Sequence, residues 1–213
     1  GGIIGIQYLE KSKEKEKTNI TIENCDVFDT EINTHNNAGG ILGQGYSVDN
    51  ININGCDVSN ATIRNTDALA SYANCAGIMA LSFKGGDVTL TNCSVKDSNI
   101  LNCNDKGGAN IAGILASNML KNETQELIVQ DCNISSTDIN LIGIGNTASA
   151  TVGFTGSYIT TVENINVTDV NVTSYGSNMS GVISTIYQYS GDDFRLTMNN
   201  CNIDNLNVEN GCA

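Results

Sequence analysis

The stretch Ile20-Thr-Ile-Glu-Asn-Cys25-Asp-Val27 recurs along the chain and decides the fold. Six copies occur, 31 to 39 residues apart, beginning at Ile20, Ile51, Val88, Leu127, Thr160 and Leu196. Five residues after each copy comes another β-branched residue: Ile32, Ile63, Ile100, Ile139, Val172 and Val208. Such recurrence is typical of repeat proteins, in which each unit buries its apolar face against the next. We therefore expect one repeat body over residues 1–213, with units beginning near residues 18, 49, 86, 125, 158 and 194.

Apolar and polar side chains alternate within a copy, and this alternation breaks twice. The breaks fall on residues that tolerate left-handed backbone, which marks them as sharp corners. The first corner is Asn24, Gly55, Asn92, Asp131, Asn164 and Asn200, and the second is the pair 28–29, 59–60, 96–97, 135–136, 168–169 and 204–205. The pattern predicts an all-β fold, a right-handed parallel β-helix (β-solenoid) of about six rungs, each with three short strands and surface loops. The handedness follows from the general preference of parallel crossovers.

Eight cysteines could indicate a disulfide framework, but five of them share one repeat position. That position holds Cys25, Cys56, Cys93, Cys132, Ile165 and Cys201. Because Ile replaces Cys in one copy, the position requires a buried apolar side chain, which an unpaired Cys supplies. We expect a structural core ladder of free thiols. Outside this ladder, only Cys75 and Cys103 are candidates for a disulfide.

A second repeated element, a glycine followed by two apolar residues and a small residue, occurs between the copies. Its instances are Gly2-Ile-Ile-Gly5, Gly40-Ile-Leu-Gly43, Gly77-Ile-Met-Ala80, Gly113-Ile-Leu-Ala116, Gly153-Phe-Thr-Gly156 and Gly181-Val-Ile-Ser184. The element resembles the Gly-Leu-hydrophobic-Gly (GLUG) repeats of bacterial surface proteins, including the stalks of immunoglobulin A-specific metallopeptidases. The resemblance implies a cell-surface β-solenoid. The peptidase activity does not carry over, because the chain has no His-Glu-x-x-His stretch and His35 is its one histidine.

The composition excludes several classes of partner. A net charge of −13 repels nucleic acid and anionic lipid. No apolar stretch reaches the roughly 18 residues of a membrane span, so we expect no direct membrane insertion in this segment. The chain starts within a repeat pattern, and we interpret it as a segment of a longer protein. Its localisation is predicted to be extracellular, at a cell surface.

Residues capable of catalysis or metal binding are sparse. Asp26 and Asp57 share an outward position in adjacent rungs, which could place them at the ~5 Å separation of a retaining glycosidase pair. The same position becomes Ser or Asn in later copies, which favours an ordinary polar face. The pair Asp192-Asp193 could bind Ca²⁺ in a loop. No other cofactor is expected.

Six positions after the motif glycine, an aromatic or apolar residue recurs: Tyr46, Phe83, Met119, Ile159 and Tyr187. Stacked rungs would align these residues, with Tyr158 and Tyr189 beside them, in a ligand stripe for sugar rings or for the sheet edge of a partner. The alternative is that they close the core beneath the loops. Among the Asn-x-Ser/Thr sequences, Asn122 and Asn178 are the most accessible candidates for N-glycosylation.

These features together favour a non-enzymatic structural or adhesive segment, a stalk or adhesin. Its expected partners are a protein or glycan on another surface, or neighbouring copies of itself, and not nucleic acid. Two alternatives remain: a carbohydrate-active β-helix enzyme, and a subunit of an extracellular filament.

Overall fold

The computed structural model describes residues 1–8, 18–66, 73–103, 108–120, 125–175, 178–187 and 194–210. Within these ranges the chain contains β-strands and no helix. It coils through four parallel sheets, which we number 1 to 4 in the order in which a turn visits them. Each strand pairs with the equivalent strands of the turns before and after it. The predicted β-solenoid is therefore confirmed, and its right-handed sense stays a prediction.

The strands of sheets 1 and 2 contain the recurring Cys segment and the residues after it. Sheet 1 consists of β2 (Asn19–Glu23), β7 (Asn50–Asn54), β12 (Asp87–Thr91), β17 (Glu126–Gln130), β21 (Ile159–Glu163) and β25 (Arg195–Asn199). Sheet 2 consists of β3 (Asp26–Phe28), β4 (Glu31–Thr34), β8 (Asp57–Ser59), β9 (Thr62–Asn65), β13 (Ser94–Lys96), β14 (Asn99–Asn102), β18 (Asn133–Ile144), β22 (Asn166–Tyr175) and β26 (Asn202–Asn210).

Sheets 3 and 4 contain the glycine motif and its flanks. Sheet 3 consists of β5 (Ala38–Gly39), β10 (Asn74–Ala76), β15 (Asn110–Ala112), β19 (Thr147–Ser149) and β23 (Asn178–Ser180). Sheet 4 consists of β1 (Ile4–Tyr8), β6 (Leu42–Tyr46), β11 (Met79–Gly85), β16 (Leu115–Leu120), β20 (Val152–Thr155) and β24 (Ile183–Ile186).

A turn contains more strands than the three predicted. From β2 to β6 the chain passes through five strands, because the glycine motif and the residues before it form sheets 4 and 3. In the later turns the two strands of sheet 2 merge into one, as in β18. The strands of sheet 3 are only two or three residues long, too short for an alternating pattern to reveal them.

The repeat copies stack in the predicted register. The columns headed by Ile20, Ile22, Val27 and Ile32 each run through equivalent positions of all six copies. In the inner turns these side chains are buried, and all of them except Thr160 belong to one continuous hydrophobic core. Each turn therefore supplies the apolar surface that covers its neighbours.

Both predicted corners are confirmed by the backbone. All non-glycine residues of the first corner, and the second residue of each pair at the second corner, have φ between 47° and 55°. Gly55 occupies the first corner in its turn with φ of 63°. Asn, Asp and Gly dominate because they adopt left-handed backbone at low cost. A third left-handed position, at Ser47 just after β6 and at the equivalent Lys84 within β11, was not predicted.

One assignment of the glycine motif was wrong. Val152 pairs with Leu115, so Ala150-Thr-Val-Gly153, and not Gly153-Phe-Thr-Gly156, is the fifth copy. The first motif position lies against the backbone of the next turn: a Cβ on Gly40 would lie 2.0 Å from the carbonyl oxygen of Gly77. Ala150 occupies this position in its turn, so the position selects small residues and not glycine alone.

Candidate functional site

The cysteine column lines the inside of the solenoid. Cys56, Cys93 and Cys132 are buried, as is Ile165, whereas Cys25 and Cys201 in the end turns are partly exposed. The Cys93 thiol donates to the Thr91 carbonyl oxygen at 3.2 Å, and Cys132 donates to that of Gln130 at 3.2 Å. Burial raises the pKa of Cys56 to about 11. Since the thiolate is the reactive form, the raised pKa keeps Cys56 in the unreactive thiol form.

Neither Cys75 nor Cys103, the two cysteines considered for a disulfide, forms one in the structure. Cys75 is buried in sheet 3, and its Sγ donates to the Leu101 carbonyl oxygen at 3.4 Å. Burial raises its pKa to about 12. Cys212 lies outside the described residues.

Asp26 and Asp57 are direct neighbours in β3 and β8, and both are exposed. Asp57 accepts a hydrogen bond of 2.5 Å from the Ser94 hydroxyl of the following turn. Further along the column, Asn166 donates to Asn133 at 2.9 Å and Asn202 donates to Asn166 at 3.1 Å. The two aspartates thus belong to an outward polar column in which hydrogen bonds link three pairs of neighbouring turns.

Among the described residues, no group of three or more His, Cys, Asp and Glu side chains is placed to hold a metal ion. His35 is exposed, just beyond the end of β4. The predicted Ca²⁺ ligands Asp192 and Asp193 lie outside the described residues.

The aromatic stripe forms along the outer end of sheet 4. Tyr46 pairs with Phe83, which in turn pairs with Met119. The Tyr46 and Phe83 rings are 5.5 Å apart between centroids, with an angle of 39° between their planes, and both side chains are partly exposed. Tyr187 belongs to the same column, because its N–H donates to the Thr155 carbonyl oxygen and Gly156 donates to that of Asn118.

Two residues that the repeat spacing did not predict, Lys84 and Phe154, contact the rings of this stripe. Lys84 places its ammonium group 5.7 Å from the Tyr46 ring centroid and 5.5 Å from that of Phe83, within cation–π range. Phe154 stacks on Tyr187, with centroids 6.3 Å apart and ring planes 26° apart. Lys84 directly follows the stripe residue Phe83 in sequence. Phe154 could not be found from the repeat pattern, because its equivalent in the previous turn is Ser117, which is not aromatic.

Two residues predicted for the aromatic stripe do not lie along sheet 4. Tyr158 is buried, with 8% of its surface exposed, just before β21 at the edge of sheet 1. Ile159 pairs with Glu126 in sheet 1. These two residues fall outside the stripe because the motif of their turn starts at Ala150, three residues before Gly153. Tyr189 lies outside the described residues.

We define the aromatic stripe from here on as Tyr46, Phe83, Lys84, Phe154 and Tyr187. It presents two ring pairs at different heights on one edge of the solenoid. Aromatic faces of this kind can stack on sugar rings or on apolar groups of a protein. Half of the Tyr187 side chain is exposed, at 50%, which makes it the most accessible ring of the stripe.

Of the two predicted glycosylation sites, Asn178 is exposed in β23, and its Nδ2 donates to the Thr185 hydroxyl at 3.2 Å. Asn122 lies outside the described residues.

No helix among the described residues is long and apolar enough to cross a bilayer. Comparison of the chain with protein-family models found no match, and neither did comparison with curated proteins or with solved structures.

Proposed function

We propose that this chain is a non-enzymatic structural and adhesive segment of an extracellular surface protein. The observation that carries the proposal is the aromatic stripe: two exposed or partly exposed ring pairs at separate heights on one edge of a stacked solenoid. Such an arrangement offers an extended ligand several stacking positions along the solenoid axis.

The stacked sheets support the structural part of this role. At ~4.8 Å per strand, the strands of sheet 1 span roughly 24 Å along the axis. The five complete turns, from β2 to β24, are joined to one another by backbone hydrogen bonds in all four sheets, so the spacing between the ring pairs is fixed. Hydrogen bonds between successive turns are what a spacer of constant length requires.

Three features support the extracellular and adhesive part. The motif beginning at Gly40 resembles the GLUG repeats of bacterial surface proteins. A net charge of −13 disfavours polyanionic ligands and favours uncharged or basic ones. Asn178 presents an exposed glycosylation sequence. The partner we propose is a glycan or protein on another surface, with neighbouring copies of the chain as the alternative.

The test is to place the chain on an array of glycans and matrix proteins and then to analyse the retained glycans by mass spectrometry. We expect retention with the glycans intact. Tyr187→Ala should weaken it, whereas Tyr175→Ala, which removes a 37% exposed tyrosine from sheet 2, should not.

Other outcomes would favour other functions. Shortened glycans would indicate the carbohydrate-active enzyme. Absence of retention would leave a spacer without adhesive function. End-to-end polymers detected by light scattering would indicate a filament subunit.

A further inference from the structure

A polar groove runs along sheet 2, on a different face from the aromatic stripe. It forms at the second corner, where the left-handed residues Asn60, Asp97 and Ser136 bend the sheet between its two strands. The cavity there has a volume of about 410 Å³ and extends over three successive turns. The cavity is open to solvent and its lining is mainly polar, so it is a surface groove and not an enclosed pocket.

Carboxylate and amide groups line both walls of this corner groove. One wall presents the corner residues, with Asp97 at the centre, and the other presents Asn99 and Asp138. The same columns continue the polar lining beyond the cavity, with Asp29, Asp169 and Asn205 on the first wall and Glu31, Asn171 and Asn207 on the second. A ligand along the axis therefore meets hydrogen-bonding groups at each turn, ~4.8 Å apart.

Neighbouring turns hold these side chains in place. Asp138 accepts a hydrogen bond of 2.7 Å from Asn171 Nδ2, and Asp29 accepts one of 2.5 Å from Asn60 Nδ2. A carboxylate has about four lone-pair positions, so each keeps acceptor capacity for a ligand. The groups that would contact a ligand are thus oriented in advance, which lowers the entropic cost of binding.

An exposed aromatic residue stands next to the first-turn end of the first wall, outside the residues that line the cavity. Phe28 is 64% exposed, and it directly precedes Asp29 of the first wall. Together the groove and this ring provide polar groups for hydroxyls and an apolar face for a sugar ring.

The charges favour an uncharged ligand. The carboxylates repel uronate and sulfate groups. The basic side chains beside the groove already pair with its acids: Arg64 contacts Glu31 at 2.6 Å, and Lys96 contacts Asp97 at 3.6 Å. These pairs lower the attraction of the groove for a cationic ligand.

We propose that the corner groove binds an uncharged, hydroxyl-rich glycan strand that lies along the solenoid axis and stacks on Phe28. This inference rests on the adhesive function proposed above and adds to the aromatic stripe a second site, which takes neutral glycans.

The experiment measures binding of neutral glucan and mannan hexasaccharides by calorimetry, with a lysine hexapeptide and polygalacturonate for comparison. The test variant is Asn99→Arg, whose long side chain fills the groove and pairs with Asp97 or Asp138. The matched control is Asn19→Arg, because Asn19 is also an exposed, outward asparagine at the start of a strand, in sheet 1. Equal thermal midpoints of the two variants show that both are folded.

We expect a neutral hexasaccharide to bind the parent and Asn19→Arg alike. Asn99→Arg should bind about tenfold more weakly or worse, the loss expected for one hydrogen bond to a charged group. Phe28→Ala should weaken binding as well.

Three results would overturn the groove assignment. Undiminished binding by Asn99→Arg, together with loss in Tyr187→Ala, would place the ligand on the aromatic stripe and leave the adhesive function intact. Binding of the lysine peptide alone, abolished by about 1 M NaCl, where the Debye length is about 3 Å, would indicate a cation-binding surface. Failure of the parent to bind any glycan or matrix protein would refute the adhesive function and the groove assignment together.

Discussion

The buried side chain of Asn110 donates a hydrogen bond of 2.8 Å from its Nδ2 to the Oδ1 of Asn74, which is also buried one turn earlier. Asn74 donates in the same way to Asn37 at 2.8 Å, and the Thr147 hydroxyl donates to Asn110 at 2.8 Å. A polar column therefore runs through the interior beside sheet 3. It joins four successive turns and opposes any slip in their register, because a slip would leave buried amides without their partners.

Replacing Asn110 with alanine should lower the free energy of unfolding by about 1–3 kcal/mol, because the change breaks two buried hydrogen bonds. Urea denaturation followed by circular dichroism would measure the loss. The control is Asn166→Ala, in an exposed hydrogen-bonded column, where water replaces the lost partners. Equal losses in the two variants would contradict the buried column as a determinant of stability.

Introducing a carboxylate into the thiol column should disrupt adjacent turns. Cys93 is fully buried between the equivalent cysteines 56 and 132, so Cys93→Asp places a polar group where no water reaches it. We expect a loss of about 2 kcal/mol or more and a lower thermal midpoint. Cys93→Val should change little, because Ile165 already occupies the column. A midpoint for Cys93→Asp that matches the parent's would refute the prediction.

The thiol pKa values predict how stability changes with pH. Burial raises the pKa of Cys75 from 9.0 to about 12, so the unfolded chain ionises first as the pH rises. The stabilisation is complete below pH 9 and is lost progressively as the pH rises from 9 toward 12. Within this window the contribution of this thiol should fall by up to about 1.4 kcal/mol per pH unit.

The measurement is the urea midpoint at several pH values between 8 and about 10.5, for the parent and for Cys75→Ala. The variant should show the shallower decline above pH 9. Parallel curves would mean that Cys75 does not titrate differently in the two states.

Adding a methyl group at the motif glycine should be costly in the middle of the solenoid. A Cβ on Gly77 would lie 2.3 Å from the carbonyl oxygen of Gly113 and 2.5 Å from Val95 Cγ2. Because backbone must move to relieve this contact, we expect Gly77→Ala to cost about 1–3 kcal/mol in a thermal or urea unfolding experiment. Gly5→Ala is the control within the same motif, since its nearest contact, Gly1 N, is 3.8 Å away. A Gly77→Ala variant as stable as this control would contradict the close approach.

Local features of the sequence were enough to predict the inner wall of the solenoid. The column that begins at Ile20, the cysteine column and both left-handed corners follow from side-chain alternation and from the backbone preferences of Asn, Asp and Gly. These properties belong to single residues and their immediate neighbours. They hold wherever the copy occurs, including where Ile165 replaces cysteine.

The candidate site was only partly predictable. Tyr46, Phe83 and Tyr187 were placed in one column, whereas Tyr158 and Ile159 were placed there wrongly. Lys84 and Phe154 were missed. The fifth motif begins with alanine, so counting from a glycine shifted the spacing by three residues. The first motif position requires a small side chain, and a motif defined by glycine alone does not include the alanine that also fits there.

The sequence by itself therefore determined which side chains of the recurring Cys segment point inward, where the two corners of that segment fall and that its copies stack. The tertiary structure decided which side chains from the segments between the copies meet across turns: the ring pair of Phe154 and Tyr187 and the buried column from Asn37 to Thr147. The physical reason is the variable length of the segments between copies. In these segments the register between turns is fixed by hydrogen bonds and packing with the neighbouring turn, and residue spacing along the chain does not encode it.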